Sequence, residues 1–510
     1  MSAAPSEPEK YSIDEMMDRL KGSPSENPED GELVTRSDGS QAIRVRKRKR
    51  RSNQPHKDQT ERTRRARIIQ VSAALILVFV AALAVGGAVI YANSSPFREG
   101  IVGMIHQSTG AKAELKMFRM NPKTANAGNL ALEWPAGHLF QSFTCRGINA
   151  EVFPTSFLGK SLNGEEVTFE EGTLSLQIPN PGEAPLATAK AESAIPIQFK
   201  RYRTSNFNIA LTNQGSPILK LYKSEASLSS QTVAGLPQMR LYRGDLAVTG
   251  WPNLRMNRAL VDFRGSEIDV VGLTVHHPTD DRGSLELSGT ISPYKPDQVS
   301  NLVVGLDSFL VSGIAGPQLG RLISGRIDSV SSAKSNYLSF LPTANASPTL
   351  DIAFSVTPTA NIELQGFPFL IGIARLLDED DWFEKPFFDS DATGVIHREK
   401  GVISFRDLNF VSKGRMAIQG EIAMTPNMEL SGNLQVGVPD AMIPKTSRLK
   451  SMVGPPKDGF RWIALKIGGS AVSPTDNFKD LYTEAAAVKE PSPAPADTEG
   501  STFEELTRPR

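Results

Sequence analysis

Residues 401–439 read GVISFRDLNFVSKGRMAIQGEIAMTPNMELSGNLQVGVP. In the last run Leu430, Leu434, Val436 and Val438 share one face, while Glu429, Ser431, Asn433 and Gln435 occupy the other. Met416 and Ile418 oppose Arg415 and Gln419 in the same way. Alternation with period two marks a strand with one apolar and one polar face. The breaks at Lys413-Gly414 and Pro426-Asn427 are turn chemistry. Three consecutive strands are therefore predicted, sharing the apolar face Phe405, Leu408, Phe410, Met416, Ile418, Leu430, Leu434 and Val436.

Working outward, similar runs recur upstream: VTFEEGTLSLQIP from Val167, NFNIALTN from Asn206 and GSLELSGTIS from Gly283. The chain from residue 93 onward reads as mainly β, an elongated, curved antiparallel sheet (a β-trough) with few short helices. The helical candidates there are the stretch 97–107 and the apolar segment 367–377, FPFLIGIARLL, too short to cross a bilayer. The latter reads as a packed or interfacial helix. Residues from Val261 align loosely with those from Val395, strand for strand, with Gly289 matching Gly420. Repetition of one supersecondary unit and a generic antiparallel meander both account for this echo.

Residues 68–92, IIQVSAALILVFVAALAVGGAVIYA, are apolar and uncharged throughout. A hydrocarbon core about 30 Å thick needs roughly 20 helical residues, so this run is predicted to span a membrane. It is too long and too far from the N-terminus for a cleaved signal peptide. Arg44, Arg46, Lys47, Arg48, Lys49, Arg50, Arg51, Lys57, Arg62, Arg64, Arg65 and Arg67 precede it, opposed only by Asp58 and Glu61. Cationic flanks stay in the cytoplasm, which places the N-terminus there and the large domain across the membrane.

Five segments follow: a disordered basic cytosolic tail (1–67), a transmembrane helix (68–92), a β-rich region (93–365), a C-terminal region (366–478) and a disordered tail (479–510). Within the first, Ser12 and Glu15 have capping-box spacing, and Ile13, Met16, Met17 and Leu20 form one helical face. That segment, 12–20, is either a docking helix for a cytosolic partner or a fluctuating stretch of tail. ELVTRSDGSQAIRV, from Glu32, is a candidate hairpin about Asp38-Gly39.

Lys+Arg and Asp+Glu number 56 each, but the basic excess sits before the apolar run. The large domain lacks a basic footprint, which argues against nucleic acid. The sole cysteine, Cys145, has no partner for an internal bridge and reads as a small buried residue. His276 and His277 are adjacent, so on a strand they point apart and cannot share a metal. No CxxC, HExxH, P-loop or GxSxG pattern occurs. Asp378, Glu379, Asp380 and Asp381 lack the spacing of an EF-hand. No cofactor or metal is expected, and the chain is not expected to be an enzyme.

Residues 387–438, FFDSDATGVIHREKGVISFRDLNFVSKGRMAIQGEIAMTPNMELSGNLQVGV, resemble the C-terminal region of the AsmA-like family of envelope proteins. The steps that carry the resemblance are the apolar helix 367–377, Lys400-Gly401-Val402, Asp407-Leu408-Asn409-Phe410 and Ile418-Gln419-Gly420-Glu421-Ile422. The closing IALKIGGSAVSPTDNF matches through Gly468, Gly469, Ser470 and Pro474. The long N-terminal tail departs from the family's usual short one. The resemblance implies an inner-membrane-anchored periplasmic protein whose β-sheet trough handles phospholipid for outer-membrane biogenesis, with membrane lipids, an envelope partner or a second copy of itself as partners. The eight apolar residues named above would then line a lipid groove. The open alternatives are a single-pass signalling protein with a periplasmic sensing domain and a structural envelope protein with a filled core.

Overall fold

The computed structural model describes residues 32–44 and 57–487, apart from 159–160, 179–196, 231–234, 296, 331–335, 342–346, 357–359, 379 and 446. The segment 12–20 and the basic residues 46–51 lie outside the described residues. The chain divides into two units, 1–82 and 83–510.

In the first unit, Glu32–Thr35 pairs antiparallel with Gln41–Arg44, the hairpin expected at Asp38-Gly39. The Asp38 carboxylate accepts the Ser40 N–H at 3.2 Å and its hydroxyl at 2.7 Å, and Gly39 supplies a φ of 77°. Both are the usual means of closing a tight turn.

A helix then runs over Lys57–Ala92. It begins eleven residues earlier than the apolar run, so 57–67 is helical rather than disordered tail. Residues such as Glu61, Arg64, Arg65 and Ala66 are good helix formers and extend the helix started by its neighbours. Val71–Ala92 is long and apolar enough to cross a membrane. Its side chains are bare, with Leu77 71 % exposed, unlike those of a soluble core helix.

The second unit takes in the end of that helix, from Leu83, and continues with the helix Ser95–Thr109, which has Pro96 in its first turn and Gly110 as a left-handed C-cap bonded to the His106 carbonyl. Proline at the start and glycine just past the end is the expected asymmetry. Beyond it lies one large extended sheet. Ladders run from Lys112–Lys116 and Arg119–Met120 through Thr124–Glu133, Phe140–Val152, the collinear Leu162–Phe169 and Glu171–Gln177, and Ile197–Asn213. They continue through Ser216–Ser229, Gln238–Tyr242 with Asp245–Val248, Leu254–Arg264, Glu267–His277, Asp280–Ile291 and Ser300–Asp307. The last stretch passes through Tyr337–Phe340, Thr349–Ser355, Asp391–Glu399, Val402–Ser412, Met416–Met424, Leu430–Pro439 and Phe460–Gly469 to Pro474–Asp476. Among the described residues no ladder joins the last strand to the first, so the sheet has two ends.

Pairing is antiparallel with one exception. Leu162–Phe169 and Glu171–Gln177 both run parallel to Ile197–Asn213. A parallel neighbour needs a crossover of a dozen or more residues, and 178–196 is long enough to make one.

Glycine kinks bend individual strands. Gly289 and Gly420 adopt φ of 145° and 131°. A Cβ at Gly289 would lie 2.7 Å from the Asn301 carbonyl oxygen, and one at Gly420 would lie 2.1 Å from that of Asn433. The two positions that match in the sequence echo thus share one backbone device, which only glycine tolerates.

Two expected boundaries shift. Thr349–Ser355 pairs directly with Asp391–Glu399 across residue 366, and one hydrophobic core spans both sides. The stretch after 478 is also ordered at first, as the helix Phe478–Ala487.

Candidate functional site

The eight apolar residues expected to line a groove do come together on one face, with help from a bulge. In Val402–Ser412 strict alternation from Phe405 would send Asp407 and Asn409 inward. Instead Asp407 takes φ of 51°, and the register shifts between Phe405 opposite Ile422 and Leu408 opposite Gly420. A bulge re-aims the residues after it, so Leu408 and Phe410 rejoin Phe405 on the apolar side. Phe410 then faces Ile418, Ile418 faces Val436, and Met424 faces Leu430.

At this end of the sheet the face is not an open lining. Phe405, Phe410, Met416, Ile418 and Val436 are wholly buried, and Leu408, Leu430 and Leu434 nearly so. The helix Pro368–Leu377 buries Phe369, Leu370, Ile373, Ala374 and Leu377 in the same core. Ile314, Ala315, Leu319 and Leu322 from the helix Ser312–Leu322 join them. Ring contacts from Phe354 to Phe405 at 6.1 Å and from Phe388 to Phe410 at 5.4 Å fill the remainder. A ten-residue helix that is apolar on most sides must bury itself, and the apolar face of its own sheet serves.

The covering helix is pinned from a distance. Its N-cap residue, Phe367, has no polar side chain to offer. The Asp476 carboxylate, from the last strand, accepts the Phe369 N–H at 2.7 Å through Oδ2 and the Phe478 N–H at 3.0 Å through Oδ1. One carboxylate thereby caps the starts of two helices, Pro368–Leu377 and Phe478–Ala487. Burial pushes the Asp476 pKa up, against the two backbone hydrogen bonds that pull it down. The helices touch where Gly372 lacks a side chain: a Cβ there would meet the Phe478 ring at 2.5 Å.

Toward the other end the same face continues with less cover. Cross-strand partners lead from Phe143 to Leu174, Ile209 and Leu221, and a second row joins Leu176, Leu211, Leu219 and Val248. Phe143, Leu174, Leu176, Ile209, Leu211, Leu219 and Val248 are only half-buried. The helix Ser95–Thr109 forms a separate small core, packing Phe97 and Ile101 with Ala125, Ala150, Val152, Leu162 and Phe199.

One charge interrupts the apolar face. Partners run from Met239 through Val261, Val270, Gly289, Leu302, Leu338 and Leu350 to Arg398, then on to Ile403, Met424 and Leu430. Arg398 is 4 % exposed. Its guanidinium lies 4.3 Å from the centroid of the Trp251 ring. It donates to the Ile314 carbonyl at 2.7 Å and to the Gly250 carbonyl. Burial lowers its pKa to about 10, which leaves it charged at neutral pH. Arg398 ties the helix Ser312–Leu322 to the sheet where the filled core begins. Counting alternate residues back from it, Ile396, Gly394 and Ala392, would have placed it on the apolar face from sequence.

Cys145 is buried, and burial pushes its thiol up to about 12, as suits a packed, unreactive residue. The His276 ring contacts the Gly283 carbonyl at 2.7 Å, whereas His277 contacts the Thr279 hydroxyl at 2.9 Å.

In comparisons with known proteins the chain matches no family model and no curated protein.

Proposed function

We propose that this is a single-pass inner-membrane protein whose β-rich unit lies in the periplasm and binds or passes phospholipid for outer-membrane biogenesis. The observation that carries the reading is the long apolar sheet face, filled near the C-terminal end but only half-buried at Phe143, Leu174, Leu176, Ile209, Leu211, Leu219 and Val248. An amphipathic sheet must cover its apolar side, and acyl chains suit a surface that its own helices leave partly bare. The AsmA-like resemblance supplies lipid as the ligand and the periplasm as the compartment. The cationic residues before the apolar helix supply the orientation. The role is one of binding rather than catalysis.

This moves the ligand path away from the eight residues first considered, which are packed core, to the strands between Phe140 and Val248. Native mass spectrometry of the full-length protein released from detergent should find phospholipid bound in defined stoichiometry. Ligand-free protein in every mild detergent would favour a structural envelope role. A map of reporter fusions should place residue 40 in the cytosol and residues 150, 300 and 480 outside it, and the protein should resist a carbonate wash. A soluble domain beginning near Asn93 would refute the anchor.

A further inference from the structure

The end of the apolar helix is clasped to the first edge of the sheet, at the strand residue Met120. The Asn93 amide donates to the Val89 carbonyl at 2.7 Å and to the Met120 carbonyl at 2.8 Å. Its Oδ1 accepts the Met120 N–H at 2.9 Å. A chain of rings reinforces the clasp: Tyr91 to Phe97 at 5.6 Å and Phe97 to Phe118 at 6.4 Å. Tyr91 itself is 56 % exposed, as befits an aromatic residue where a spanning helix leaves the hydrocarbon.

The segment held by this clasp reads Lys116-Met117-Phe118-Arg119-Met120-Asn121-Pro122-Lys123; Met117-Phe118 is a break in the strand pairing with Thr124–Glu133, and the turn follows Met120, with the Asn121 N–H donating to the Thr124 carbonyl. Met117 is 78 % exposed, the most exposed large apolar side chain described. It sits at φ of 53°, a left-handed conformation that L-residues other than glycine adopt at a cost of about 1–2 kcal/mol. Lys116, Arg119 and Lys123 around it are exposed, and Lys116 lies 3.1 Å from Glu114. Met117 is three residues from Met120, so it lies within roughly 10 Å of the clasp. The interfacial layer beyond each side of the hydrocarbon is about 5–8 Å deep. An exposed apolar side chain with basic neighbours, within that distance of the end of the apolar helix, matches the chemistry of a headgroup layer.

We propose that the segment 116–123 is a second membrane contact, with Met117 inserted among the acyl chains of the leaflet where the helix ends and Lys116, Arg119 and Lys123 set against anionic lipid phosphates. The proposal rests on the reading that the apolar helix spans a bilayer. It deepens the functional reading by naming the source of the ligand: the same leaflet, against which the clasp and the inserted side chain hold the first strands of the sheet.

The test uses the full-length protein in nanodiscs containing phosphatidylglycerol. Single cysteines carry an environment-sensitive fluorophore at Met117→Cys, Val472→Cys and Leu83→Cys; Cys145 is buried and takes no label. Val472 is as bare as Met117, at 76 %, and Leu83 reports on the spanning helix. The 117 probe should shift to the blue and be quenched several-fold by shallow spin-labelled lipid, with the 472 probe unaffected. Replacing Lys116, Arg119 and Lys123 by Gln should weaken that quenching. A 117 probe that behaves like the 472 probe, while the 83 probe is quenched, overturns the membrane contact and leaves the anchor standing. Loss of quenching at 83 as well would defeat the spanning reading, and the contact with it.

Discussion

Leu434→Glu is expected to unfold the C-terminal part of the sheet, whereas Leu174→Glu should leave it folded and empty it of lipid. Leu434 is 1 % exposed and lies between Gly420 and Leu465 in the ladders. Near it the helix Pro368–Leu377 and the rings of Phe405 and Phe410 share its core. A carboxylate there would be buried among apolar side chains, a penalty of several kcal/mol against a total stability of about 5–15 kcal/mol for a domain. Leu174 occupies the same face next to Phe143 and Ile209 but is only half-buried. A glutamate there can turn to solvent, so the fold survives while the apolar lining is broken. Near-UV circular dichroism and thermal melting separate the two outcomes. A photo-crosslinker at Leu174 should capture phospholipid, and one at Ser175, on the opposite face, should not. Equal capture at both positions, or capture at neither, would remove the main support for a lipid path.

Asp476→Ala is expected to cost about 1–4 kcal/mol, since each lost helix cap is worth roughly 0.5–2 kcal/mol and the Phe369 and Phe478 N–H groups are left without their acceptor. The loss should fall on the cover rather than the sheet. In hydrogen exchange, Pro368–Leu377 and Phe478–Ala487 should lose protection before Met416–Met424 does. Uniform loss of protection would mean that the sheet and its helical cover fold as one unit. The sign of the pH dependence follows from the raised pKa of Asp476, with burial its main cause. A carboxyl whose folded pKa lies above its unfolded value contributes most below the ordinary carboxylate range and loses that contribution as pH rises through the folded value. The stability gap between wild type and Asp476→Ala should therefore narrow as the pH is raised through that window, measured by denaturant titration at acid and neutral pH.

Much of the architecture is legible in local pattern. Period-two alternation predicted the strands from Val402 to Pro439, the apolar run predicted a single long exposed helix, and Asp38-Gly39 predicted a hairpin. Each rests on a few neighbouring residues, so tertiary context had little room to override it. Even the echo between Gly289 and Gly420 corresponds to a shared kink, because a backbone pressed against a neighbouring carbonyl admits only glycine. The helices Lys57–Ala92 and Phe478–Ala487 reach into the stretches expected to be tails, because once a helix is nucleated each further good helix former adds to it at little cost.

What the sequence by itself determined is which residues are apolar on a shared face. Whether that face is filled or open was decided only in three dimensions. Filling depends on where Pro368–Leu377 and Ser312–Leu322 come to rest, and burial of an apolar surface is non-directional, so any apolar face of the right size would have served. The same holds for Asp476, 107 residues from the N–H it caps, and for Arg398, whose acceptors at Ile314 and Gly250 lie 84 and 148 residues away. The parallel seam at Ile197–Asn213 is likewise absent from local pattern, since a strand's alternation is identical in either direction. Alternation records the face a side chain takes, and only the assembled chain shows what lies against it.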